Sequence, residues 1–165
     1  AIKRLQFEGL VTSKNGVGTV VTAASFVLLK DVYAMRLKIA ELIGPMGVTT
    51  VPLEVVSGLQ RLLCQAEQLS TQSNPTLEIA RINHKLHGLI CQVIDNAALR
   101  QLYDLYYYQT SRVWYQQMPE FLSSEIGAIV DELTELIAAA KGHDLVALGY
   151  IKRNYIARVI RLLQD

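Results

Sequence analysis

The sequence predicts an all-α fold: an antiparallel bundle of about six helices with a β-hairpin ahead of it. Three observations carry this expectation. Apolar residues recur at helical spacing through six segments between residue 30 and the end of the chain. Near the start, an Asn15-Gly16 pair separates two short β-prone runs, Leu10–Ser13 and Thr19–Thr22. The most strongly patterned stretch, Arg81–Leu99, places Ile79, Ile82, Leu86, Leu89, Ile90, Val93 and Ile94 on one broad arc.

Composition bounds the rest. At 165 residues the chain is one ordinary domain with an appendage, long enough to bury a sizeable core. A net charge of +1 sets up no global field toward nucleic acid, so DNA contacts must be local. Half of the residues are apolar and mean hydropathy is positive, which points to a buried subunit interface. No run reaches the roughly 18–20 apolar residues that span a bilayer, and no signal peptide opens the chain. Cys64 and Cys91 lack metal-like spacing and read as small buried hydrophobes in a reducing cytoplasm.

In order, residues 1–7 read as the end of a helix whose start lies upstream, because one or two turns alone are unstable in water. Glu8-Gly9 closes it. After the hairpin, uncharged residues 23–29 read as a linker. Lys30–Ile43 is the first bundle helix, with Val32, Met35, Ile39, Leu42 and Ile43 on one side and Arg36 on the same stripe. Gly44-Pro45 ends it. Pro52–Leu69 is the second helix and Thr76–Ile94 the third. The tyrosine-rich fourth, Ala97–Gln117, shows Leu99, Leu102, Tyr103, Tyr106, Val113 and Trp114 on one face and turns Tyr108 and Tyr115 away. Pro119 starts the fifth segment, with clear periodicity over Ile126–Ala140, and Asp144–Leu163 is the last.

Asn83 and His87 sit one turn apart within the apolar arc of the third helix. Burying two hydrogen-bonding side chains there costs free energy unless each finds a partner. Two readings stand side by side: a satisfied core pair, or groups that face a ligand.

Motifs at both ends of the chain resemble those of a known family. Leu5, Glu8-Gly9-Leu10-Val11 and Gly16-x-Gly18-Thr19-x-Val21 match the L-x-x-E-G-L-V…G-x-G-T-x-V close of the GntR winged helix-turn-helix. Asn83-x-x-Leu86-His87 with Asn96-x-x-Leu99 is similar to the D/N-x-x-F-H…N-x-x-L signature of the FCD domain, the helical effector-binding half of FadR/VanR-type GntR regulators. The resemblance implies that residues 1–22 are the recognition-helix end and wing, 23–29 the linker, and 30–165 the effector-binding and dimerisation domain. It makes Lys3, Arg4, Lys14 and Gly16 the DNA-contacting positions of this stretch. The recognition-helix start that reads base edges is missing from it, so the chain as given is expected to bind operator DNA poorly.

In the FCD family the first helix carries an arginine in a D/E-x-Y-x-x-R context, matched here by Asp31, Tyr33 and Arg36. The resemblance thus makes Arg36 a partner for an effector carboxylate, with Asn83, His87, Arg112 and Tyr155 as further effector contacts. Many FCD domains hold a divalent metal through an Asp and three His. Here Asn83 replaces the Asp. One register of the fifth and last helices puts Leu133 and Tyr155 where two histidines belong; a shift by one puts Glu132 and Asn154 there. Periodicity favours the first, since Leu133 and Tyr155 lie within their apolar arcs. His87 is the only family ligand retained in either register, so no metal and no other cofactor is expected. The implied function is that of a cytoplasmic bacterial homodimer, a ligand-responsive regulator that binds operator DNA and a small organic acid and has no membrane partner. No carboxylate pair, Glu-x-x-His motif or activated nucleophile marks an enzyme. The alternative is a structural helical dimerisation domain without ligand.

Overall fold

The computed structural model describes residues 2–7, 11–21 and 26–162. A short helix α1 (Ile2–Phe7) precedes a hairpin of β1 (Val11–Lys14) and β2 (Gly18–Val21), and six helices then form the bundle. They are α2 (Phe26–Glu41), α3 (Leu53–Glu67), α4 (Pro75–Val93), α5 (Ala97–Gln117), α6 (Leu122–Lys141) and α7 (Leu145–Leu162). The expected all-α bundle with a hairpin ahead of it is therefore found.

The hairpin pairs Val11 with Val21 and Lys14 with Gly18 in antiparallel register. Its turn needs positive φ at Gly16 (78°) and Gly18 (96°), which a side chain would resist. The expected strand ends Leu10 and Thr22 lie outside the described residues. Helix α2 begins at Phe26, inside the stretch read as linker. Phe26-Val27-Leu28-Leu29 contains no helix breaker, and Leu29 is buried in the core, so packing extends the helix backwards.

Caps explain two asparagines. Asn74 Oδ1 accepts the Leu77 N–H at 3.1 Å ahead of Pro75 at the first turn of α4. Asn96 Oδ1 accepts the Leu99 N–H at 2.9 Å, so the N-x-x-L motif is the N-cap of α5. A 3₁₀ turn over Met118–Phe121 runs directly into α6. Between α6 and α7 the chain turns through His143 at φ 54°, and Asp144 caps α7 by accepting the Ala147 N–H at 2.8 Å.

In the bundle α2 packs on α5 and α7, α3 on α4 and α6, α4 on α5, and α6 on α7. The central layer includes Ile43, Leu59, Leu86, Leu136 and Leu148, all fully buried, each contributing about 1.5–3 kcal/mol of transfer free energy. Gly149 lets α7 approach α2 closely: a Cβ there would lie 2.7 Å from the Ala40 carbonyl oxygen.

Two expected faces and the cysteines differ. Of the stripe expected on α2 and the turn after it, Val32, Ile39 and Ile43 are buried, but Met35 and Leu42 are exposed and Leu29, Tyr33 and Ala40 are buried as well, because this helix must cover both α5 and α7. On α5, Leu102 is exposed and Tyr107 takes an inward place; Tyr115 turns in and its hydroxyl donates to the Ala80 carbonyl at 3.3 Å. Cys64 is exposed and Cys91 half-buried, so neither is the buried hydrophobe expected. None of the described helices is long and apolar enough to cross a membrane.

Candidate effector cavity and its relatives

Five helices line a partly open cavity of about 60 Å³. Tyr33 and Arg36 reach it from α2, Asn83 from α4, Tyr107, Ser111 and Trp114 from α5, Glu125 and Glu132 from α6, and Lys152, Tyr155 and Arg158 from α7. At about 30 Å³ of liquid volume per water, that is room for roughly two waters.

Charge in this wall is mostly paired. The Lys152 ammonium donates to Glu132 Oε1, and both side chains are nearly buried (8 % and 7 % exposed). Arg158 pairs with Glu125 Oε1, while the other oxygen of Glu125 accepts the Trp114 indole N–H at 3.0 Å. Arg36 differs. Its Nη1 donates to Thr110 Oγ1 at 2.6 Å, and its guanidinium lies 5.6 Å from the Tyr33 ring centre and 5.9 Å from that of Tyr107. Among the described residues no carboxylate pairs with it. Thr110, fully buried, passes its own proton to the Tyr106 carbonyl at 2.7 Å, so its oxygen is held toward Arg36. Two neutralised pairs and one uncompensated guanidinium leave the wall with one net positive charge.

The remaining polar groups are neutral. Burial pushes the Tyr155 phenol up to about 12, and the nearby Glu135, Glu132 and Asp131 carboxylates add to the shift. Burial likewise raises the Tyr107 phenol, whose hydroxyl meets that of Tyr115 at 2.9 Å. The Asn83 amide donates to the Tyr115 hydroxyl at a long 3.5 Å, so it is not fully engaged.

The structure brings Arg36, Asn83 and Tyr155 to one cavity. It does not bring His87 or Arg112 into the lining. The His87 ring is buried and stacked on Tyr107 with centroids 3.8 Å apart, and its Nε2 faces Asp104 Oδ1 at 2.8 Å. Burial holds this imidazole down to about 4, against the pull of Asp104, so it is neutral at pH 7. Sequence reasoning missed Lys152, Arg158 and Glu125, and set Glu132 aside with the second register. Lys152 and Arg158 stand three residues either side of Tyr155 on α7; that spacing was the available signal.

The cavity takes Glu132 from one of the two expected registers and Tyr155 from the other. Leu133 is fully buried and not in the lining, and Asn154 is exposed. The FCD metal set is thus not assembled. Asn83 offers an amide, Tyr155 a phenol that keeps its proton, and His87 points its Nε2 at Asp104. These residues do not fit a cavity-bound divalent ion.

Of the DNA-contacting positions, Lys3 is exposed on α1 and Gly16 is exposed in the hairpin turn. The side chains of Arg4 and Lys14 lie outside the described residues.

The FCD domain family model matches residues 31–158, more than half of the chain. No curated protein matches in sequence. Among solved structures the chain is similar to E. coli McbR/YncC, with 14% identity over 97% of this chain and 77% of that one and a TM-score of 0.73. It is similar to a GntR-family transcriptional regulator from Pseudomonas syringae pv. tomato, with 16% identity, 98% and 66% coverage and a TM-score of 0.63. A third is Streptococcus agalactiae GntR, with 17% identity, 97% and 78% coverage and a TM-score of 0.51. At such identities what is shared is the fold, and it is the family match over α2 to α7 that decides: the chain belongs to the FCD domain family of GntR-type transcription regulators.

Proposed function

We propose that the cavity binds a small monocarboxylate and that its occupancy modulates operator binding by a cytoplasmic homodimer. Residues 1–22 are then the end of a winged helix-turn-helix, 23–29 its link and 30–165 the effector-binding and dimerisation domain. The observation that carries the reading is Arg36: a half-buried guanidinium in the cavity wall whose hydrogen bond goes to a neutral hydroxyl, while the neighbouring cations are already paired. A carboxylate opposite it would form charge-assisted bonds that no side chain now provides. Asn83 and Tyr155 supply neutral donors that orient the anion, and the tyrosine and tryptophan rings wall its body. The volume limits the occupant to a small acid. His87 contributes through Tyr107, on which it is stacked, rather than by contact, and Arg112 contributes no wall. The carboxylates Glu125 and Glu132 of the wall are each held by a cation, so neither of them stands there as a free base.

The test is a thermal-shift and calorimetric panel of small monocarboxylates on the parent chain and on Arg36→Met. At least one acid should raise the melting temperature of the parent. The substitution should weaken its binding by about 1.5–3 kcal/mol, roughly ten- to 150-fold. If no acid shifts the parent, or if the shift survives Arg36→Met, the cavity is a structural feature and the domain serves dimerisation alone.

A further inference from the structure

On the face where α4 meets α5, three Lewis bases converge outside the cavity lining. His87 and Cys91 are one turn apart on α4, and Asp104 faces them from α5. Cys91 Sγ lies 3.5 Å from His87 Nε2, Asp104 Oδ1 lies 2.8 Å from the same nitrogen, and all three ligand atoms are within 4.8 Å of one another. A catalytic Cys–His–Asp relay uses both ring nitrogens, one toward the thiol and one toward the acid. Here both groups meet Nε2, and the buried Nδ1 has no hydrogen-bond partner among the described residues. One N–H cannot serve two partners at once, whereas one cation accepts a lone pair from each of three.

We propose that His87, Cys91 and Asp104 form a zinc(II) site on this face, distinct from the effector cavity. Tetrahedral bonds of about 2.3 Å to sulfur and about 2.0–2.2 Å to nitrogen and oxygen put S and N about 3.5 Å apart and N and O about 3.3 Å apart. The observed sulfur–nitrogen separation already has that value, and Asp104, 40 % exposed, can retreat by the half ångström the ion requires. A thiolate, an imidazole and a carboxylate together suit zinc better than calcium or magnesium. The Cys91 thiol proton leaves to solvent as the zinc–sulfur bond forms. Asp104 reaches the solvent side of the cluster, so a water can complete the shell. Because the liganding imidazole is stacked on Tyr107, the ion would fasten α4 to α5 and fix a ring that lines the cavity.

The experiment is a titration of the full chain with cobalt(II), followed by displacement with zinc(II), without any organic acid present. A thiolate-to-cobalt charge-transfer band in the near ultraviolet should grow to one ion per chain and bleach when zinc is added. The band should persist in Cys64→Ser, which removes the exposed thiol, and vanish in Cys91→Ser. Asp104→Asn, on the solvent side, should keep the fold by circular dichroism and bind cobalt at least about tenfold more weakly. Absence of the band in the parent, its survival in Cys91→Ser, its loss in Cys64→Ser, or unchanged affinity in Asp104→Asn would each overturn the site.

Discussion

Replacing Lys152 by methionine isolates the largest electrostatic commitment of the bundle. Lys152 and Glu132 are 8 % and 7 % exposed, and the carboxylate receives its hydrogen bond from this ammonium. Lys152→Met keeps the stem that packs against α6 but leaves Glu132 charged in a nearly closed wall. Losing one partner of a buried pair costs about 3–5 kcal/mol. For a domain of this size each kcal/mol corresponds to about 2–4 °C, so the melting temperature should fall by roughly 6–20 °C. The double variant Glu132→Leu/Lys152→Met removes both desolvated charges and should lie within about 1 kcal/mol of the parent or above it. Urea unfolding followed by circular dichroism, on the parent, both single variants and the double, gives the complete cycle. Small-acid binding should persist in the double, since the net charge of the cavity wall stays with Arg36. A Lys152→Met cost below about 1 kcal/mol, the scale of an exposed pair, would refute the burial argument. So would a double variant as unstable as the sum of the singles.

Asn96→Ala removes the side-chain acceptor of the Leu99 N–H and should cost about 1 kcal/mol, read as a lower urea midpoint with unchanged slope. Gly149→Ala puts a Cβ 2.7 Å from the Ala40 carbonyl oxygen, a backbone atom that cannot swing aside; α2 and α7 must part, at about 1–3 kcal/mol in a thermal melt. Gly88→Ala meets nothing within 4 Å on an exposed face of α4 and should instead stabilise by up to about 1 kcal/mol in the same assay.

The fold was readable where a helix buries a single face. On α4 the sequence arc and the buried set agree at Ile79, Ile82, Leu86, Ile90 and Val93, and the cap signals at Asn74 and Asn96 stand at the helix starts. On α2 the arc was misjudged because apolar residues run nearly all round the helix. Val32, Ile39 and Ile43 are buried as expected, but Met35 is as hydrophobic as Leu29, and only the position of α5 and α7 decides which of the two faces water. Hydrophobic spacing gives the period of a buried face but loses its phase when the helix has two partners.

The same missing phase governs the site. Arg36, Asn83 and Tyr155, which line the cavity, stood out because each is a polar residue breaking an apolar stripe of its own helix, a signal confined to one element. Glu132 and Lys152 are 20 residues apart on different helices and become one neutral unit only when α6 and α7 cross. Taken alone, Glu132 reads as the edge of a solvated face, and a register argument must choose it or Leu133 together with a fixed residue of α7. The bundle is under no such constraint: the rotation of α6 that buries Leu133 and Leu136 in the core also carries Glu132 to the cavity, whatever residue α7 presents. His87 shows the converse. Its helix places it inward as expected, but Asp104 on α5 engages its Nε2, so the direction of a buried imidazole is set by a neighbour whose position no spacing within α4 records.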